Sequence, residues 1–262
     1  MPISNRLRII GLCAVFNILF EYSARGVTEF THRPLLFLAM FGIYFTLFAM
    51  IEDLIVRYRL KNYQISLIAL LYGFIPEMWL TGNLFNKTTY FGITVLGVNL
   101  GTILFINICA WGVLQSIVTL YFANRIQERD WGHSRMGKFG WGLCIGYQVL
   151  VITVARSNIH RPRGALISYI AVFLLMIVIA IPLIKSISKR EPWKFQSSQV
   201  MDFLAFGSVI LFLILGTFVQ GEKIITSQPL NQTAAVLENL WTLFVGIVFF
   251  VYWWYKGSDV TV

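Results

Sequence analysis

The chain has 262 residues, 57% hydrophobic, 16% aromatic and only 13% charged, against roughly a quarter charged in a soluble domain. That balance excludes an ordinary soluble enzyme. The formal net charge of +9 points to basic loops beside anionic lipid, not to a nucleic-acid surface.

Apolar residues come in blocks of about 20, the length that crosses ~30 Å of hydrocarbon at 1.5 Å per residue. Strand-like alternation is absent, so a β-barrel is not expected. The expected fold is all-α: a polytopic helical membrane protein in one transmembrane domain, residues 1–262. Eight spans are read in chain order: Leu7–Ser23, Leu35–Val56, Gln64–Leu84, Gly101–Phe122, Phe139–Ala155, Ala165–Ile184, Val200–Gln220 and Ala234–Tyr255. The start, "MPISNRLRIIGLCAVF", is basic then apolar and lacks a small-x-small cleavage site, so a retained first span is expected rather than a signal peptide.

The fourth span is the ambiguous one. Apolar sequence runs from Phe91 to Phe122, about 48 Å of helix and too long for a simple crossing. Gly92, Gly97 and Gly101 offer breaks, so Phe91–Leu100 is expected to be a partial, re-entrant or steeply tilted piece. Depending on that piece, the count becomes seven, eight or nine.

With eight spans and the N-terminus inside, 14 of the 21 Lys and Arg residues fall on the inner side. The positive-inside bias therefore favours cytoplasmic termini. The sequons Asn86-Lys-Thr and Asn231-Gln-Thr land in outer loops. Cys13, Cys109 and Cys144 lie inside apolar segments at spacings that suit neither a metal knuckle nor a disulfide framework. "VYWWYKG" fits an interfacial aromatic belt.

Depth then sorts the polar residues within spans. Asn17, Glu21, Arg25, Glu29 and Arg33 recur every four residues, forming one stripe along a helix. Glu77 follows Pro76, a helix-kinking residue that frees a carbonyl one turn earlier. Glu21 and Glu77 both lie about two-thirds of the way from the inner to the outer face, on a rise of 1.5 Å per residue. Asn107, Gln148 and Glu238 fall in the same half, with Arg156 just above. A charge near the centre of a membrane helix costs at least ~2.5 kcal/mol and avoids lipid. A polar cavity in the outer half is therefore expected, lined by spans 1, 3, 5 and 8. Glu77 and Glu21 are its candidate proton-carrying or catalytic carboxylates. Asn17, Arg25, Gln148 and Glu238 are its candidate binding residues.

Two further stretches carry clustered charge. "ARSNIHRPRGA" places Arg156, His160, Arg161 and Arg163 in one outer loop, either as an anion-binding cluster or as a solvated loop on anionic lipid. "FAMIEDLIVRYRL" puts Glu52 and Asp53 near the inner end of span 2. There Asp53 and Arg57 pair at i,i+4 and Glu52 shares a face with Arg59, as an interfacial ion cluster that reaches water. The loop "ANRIQERDWGHSRMGKFGW" is expected to be an interfacial segment anchored by Trp131.

The three histidines fall on both faces of the membrane, so neither a di-iron site nor a bis-histidine haem is expected. No phosphate loop and no GxGxxG motif occurs. No metal or cofactor is expected. The partners are membrane lipids and a small-molecule or lipid-like ligand, and the oligomeric state is left open. The acids of "NILFEY" and "FAMIEDL" are spaced faintly as in metal-independent membrane terpene cyclases. The match is too short, and the span order too different, to assign a family. Three readings remain: a proton- or cation-coupled permease, a membrane enzyme acting on a lipid or isoprenoid through a carboxylate general acid, and an assembly subunit of a membrane complex.

Overall fold

A backbone in hydrocarbon must satisfy its own polar groups, which favours long helices wherever Leu, Ile, Phe and Val run without breakers. The computed structural model describes residues 4–25, 34–87, 92–129, 131, 136–158, 163–187, 197–218 and 232–256. Eight long helices occur among them: α1 (Asn5–Arg25), α2 (Pro34–Tyr58), α3 (Asn62–Trp79), α4 (Leu100–Ile126), α5 (Lys138–Asn158), α6 (Leu166–Ile187), α7 (Gln199–Phe218) and α8 (Gln232–Lys256). Six of them, α2 and α4 to α8, are long and apolar enough to cross a membrane. α1 and α3 are not among the six. They are the two helices that carry Glu21 and Glu77.

α4 forms the central post. It is buried along most of its length, whereas α5 and α6 are largely exposed. Its middle, Ile103–Val118, is a π-helix. The Thr119 backbone N–H closes back onto the Leu114 carbonyl, five residues earlier. π-Helical turns are usually single bulges and recur at functional sites, so a run of 16 residues is unusual. Nothing in the apolar pattern distinguishes it from an α-helix.

The stretch before α4 departs from expectation. In place of a re-entrant piece, Thr94–Val95 and Val98–Asn99 form a short antiparallel hairpin. Its turn passes through Leu96 and Gly97, both with positive φ. Asn99 then caps α4, accepting the Thr102 N–H at 3.0 Å. Its Nδ2 donates to the Asn86 carbonyl at 2.7 Å, tying the hairpin to the loop after α3. Phe74, Met78, Leu84, Phe85, Val98 and Val172 form a small core under this distal cap. A larger core, including Phe16, Phe48, Leu114, Tyr121 and Phe212, joins α1, α2, α4 and α7.

The proximal end, where α1 begins and α2 ends, carries a buried ion network. The Arg129 guanidinium grips Glu52 with Nε at 2.8 Å and Nη2 at 3.0 Å. Both side chains are almost fully buried. This corrects the expectation that Glu52 shares its face with Arg59. Arg59 instead lies 5.8 Å from the centre of the Trp131 ring, and Arg129 lies 5.3 Å from it. Asp53 does pair with Arg57, at 2.8 Å. It also accepts from the Met136 N–H at 2.6 Å and the Trp141 indole at 2.9 Å, with Arg6 at 3.6 Å. The acidic pair is thus a buried clasp joining α1, α2, the α4–α5 connection and α5. It does not reach water as an interfacial cluster would.

Candidate functional site

The expected meeting of Glu77 and Glu21 rests on equal depth in two helices. In the folded chain, Glu77 is buried on α3, and the turn that follows folds back over it. Its Oε2 accepts from the Thr81 hydroxyl at 2.8 Å and the Asn83 amide at 2.9 Å. The Asn83 N–H in turn donates to Thr81 Oγ1 at 3.2 Å. Trp111, from the π-helical part of α4, stands beside the carboxyl. Glu21, on α1, lies within electrostatic range of Glu77 on α3.

An aromatic frame holds them. Tyr44 of α2 donates its hydroxyl to Glu21 Oε1 at 2.9 Å, and its ring centre lies 6.2 Å from that of Trp111. Tyr72 of α3 meets Trp111 edge-on at 5.3 Å. The indole stands against Gly73, where a Cβ would come within 2.6 Å of the ring. Only glycine admits Trp111 at this height. The two rings thus stand between the two carboxylates, in the order Glu21, Tyr44, Trp111, Glu77.

Gln148 reaches the edge of this frame, but its amide is used up. It accepts from the Tyr72 hydroxyl at 2.7 Å and donates to the Ile43 carbonyl and to Thr46 Oγ1, each at 2.7 Å. Its role here is to brace α2, α3 and α5. Asn17 is fully buried one turn proximal to Glu21. Glu238 is buried on α8. Arg163 is exposed in the connection before α6. The side chains of Arg25 and Arg156, and all of His160 and Arg161, lie outside the described residues. Most of the expected anion-binding loop thus lies outside the described residues.

No family model matches the chain, and neither a curated protein nor a solved structure is significantly similar to it. The site must be read from its own chemistry. Among the described residues, no group of three or more His, Cys, Asp and Glu side chains is placed to hold a metal ion.

Sequence reasoning missed Tyr44, Trp111, Thr81 and Asn83. Thr81 carried a usable signal, since it stands four residues after Glu77. Tyr44 and Trp111 carried none, because an aromatic residue within an apolar span reads as packing or lipid contact.

Proposed function

We propose that the protein binds or moves a small molecule at the Glu21–Glu77 pair, and that the pair takes up a proton or a cation as it does so. The feature that carries this reading is a pair of carboxylates on separate helices, linked through Tyr44 and Trp111, within a largely apolar bundle. Uptake of a proton or a cation at such a site relieves the cost of a carboxylate charge in a low-dielectric layer, and its exchange couples readily to a ligand's arrival.

The setting follows from the same reading. All eight long helices cross the bilayer, with the proximal end and both termini inside, as the 14 inner Lys and Arg residues of 21 favour. Glu21 and Glu77 then lie in the outer half.

One observation favours a second reading, a membrane enzyme acting on a lipid or isoprenoid. Glu77 Oε2 is engaged by two donors, so a proton on this carboxyl resides on Oε1. An acid so fixed beside Tyr44, Tyr72 and Trp111 suits protonation of an alkene, with the rings' π-faces stabilising the cation formed.

Cells lacking the gene, complemented with wild type or Glu77→Gln, separate these readings. Altered uptake of a solute with unchanged lipids supports movement of a small molecule. A changed lipid or isoprenoid product supports the enzyme. Full function of the Glu77→Gln variant sinks both.

A further inference from the structure

The turn that folds over Glu77 is itself held from the start of α4. Thr81 and Asn83 bond the Glu77 carboxylate, and Asn83 opens a short 3-10 turn, Asn83–Phe85. Both ends of that turn are tied. The Thr102 hydroxyl donates to the Asn83 carbonyl at 3.1 Å, and the Asn99 amide donates to the Asn86 carbonyl at 2.7 Å. Asn99 and Thr102 are bonded to each other through the Thr102 N–H, and both are fully buried. Leu84, Phe85 and Val98 share the small distal core. The hairpin that ends at Asn99 and the turn over Glu77 are thus one bonded unit.

The free side of the hairpin is apolar. Ile93, Val95 and Leu96 are each more than half exposed, and Leu100 and Leu104 carry the same exposed surface onto α4. No charged residue occurs between Lys87 and Arg125. The hairpin turn rests on α6, since a Cβ on Gly97 would run into the Ser168 hydroxyl. α6 is apolar enough to cross a membrane and is largely exposed, so the free side of the hairpin continues a lipid-facing surface. Tyr169 of α6 lies 5.6 Å from Trp79 and 4.6 Å from Phe85, between ring centres. Trp and Tyr gather at headgroup level. A hairpin that faced water would carry polar side chains on its free side. The hydrocarbon core excludes it too, because open strand edges there lack partners. The boundary between headgroups and acyl chains meets both demands, taking apolar side chains into lipid while strand edges reach water.

We propose that the free side of the Thr94–Asn99 hairpin seats in the lipid headgroup–acyl boundary at the distal end, and that Asn99 and Thr102 act as positioning residues that transmit this seat to the turn over Glu77. Lipid contact fixes the hairpin, the two ties fix the turn, and the turn holds Thr81 and Asn83 against the carboxylate. The positioning rests on the reading that Glu77 is a working carboxylate, whereas the lipid seat does not.

A nitroxide label on Leu96→Cys tests the seat, in full-length protein reconstituted into phosphatidylcholine vesicles. Cys13, Cys109 and Cys144 are buried, so unsubstituted protein supplies the labelling background. Molecular oxygen concentrates in lipid, and a nickel chelate stays in water. The ratio of oxygen to nickel collisions at Leu96 should be several-fold that at Lys87→Cys, an exposed position after α3. A ratio as low as at Lys87 puts the hairpin in water, and exclusion of both reagents puts it under another protein chain. Either result overturns the proposal. Thr102 tests the positioning. Thr102→Val deletes the tie to Asn83 at nearly constant volume and should lower cellular function by roughly 5–10-fold. Thr102→Ser keeps the hydroxyl and should restore it. A Thr102 that served only to pack would give the opposite ranking, because valine fills the space and serine does not, and that ranking overturns the positioning. Glu77→Gln separates the two layers. Full function of that variant, with the Leu96 label in lipid, overturns the carboxylate reading and leaves the seat. An inactive Glu77→Gln with the Leu96 label in water does the reverse.

Discussion

Arg129 and Glu52 form a two-point ion pair, at 2.8 and 3.0 Å, with both side chains almost fully buried. The pair fastens the α4–α5 connection to the end of α2. Removing one partner leaves a buried charge without compensation, at a cost of about 3–5 kcal/mol. Glu52→Gln and Arg129→Met should each lower the thermal midpoint sharply. The double replacement Glu52→Leu with Arg129→Met should recover much of the loss. Unfolding in detergent, followed by circular dichroism, measures all three, and a double variant as weak as the singles would contradict the pairing.

Asp53 gathers more partners than Arg57 does. It accepts from Arg57, the Met136 N–H and the Trp141 indole, whereas the partly exposed Arg57 donates to Asp53 and the Met136 carbonyl. Asp53→Ala should therefore destabilise more than Arg57→Ala. A double-mutant cycle should return a coupling of about 0.5–3 kcal/mol. Additive effects would show that the two act separately.

Gly73 sets the position of Trp111. A methyl group there would meet the indole at 2.6 Å and push it from Glu77. Gly73→Ala should reduce cellular function while leaving expression near wild type. The damage should match that of Trp111→Phe, which keeps a ring but loses the indole N–H. Normal function in Gly73→Ala would show that the contact is not needed.

Thr81 and Asn83 hold the Glu77 carboxylate in place. A hydrogen bond to a charged group contributes about 1.5–3 kcal/mol. Where that bond orients the working carboxylate, Thr81→Val or Asn83→Leu should lower activity by roughly 10–100-fold. Substitution of Thr217, which bonds only to its own helix, provides the comparison. Equal effects at Thr81 and Thr217 would detach the turn from the site.

Much of the helical pattern was legible because hydrocarbon allows so few backbone forms. Depth along α1 and α3 was the sequence's ground for grouping Glu21 with Glu77, since rise per residue is fixed. What stayed hidden depended on lateral packing. Arg129 stands 77 positions from Glu52, and no spacing rule connects a loop arginine with a helix acid that far away. The π-helical run escaped because α and π backbones accept the same apolar residues. The hairpin at Thr94–Asn99 was masked by apolar side chains, although Gly97 did mark its turn. Depth alone could not show that the Gln148 amide braces three helices.

The central claim is that the site formed by Glu21 and Glu77 takes up one exchangeable positive charge. Infrared difference spectroscopy of the carboxyl C=O stretch, comparing wild type with Glu77→Gln and Glu21→Gln near neutral pH, tests it most directly. Samples are prepared without alkali ions, so that no added metal cation competes with a proton. The account predicts a single protonated-carboxyl band in the wild type that either substitution removes or shifts. A wild-type spectrum without that band, or a band indifferent to both substitutions, would contradict it.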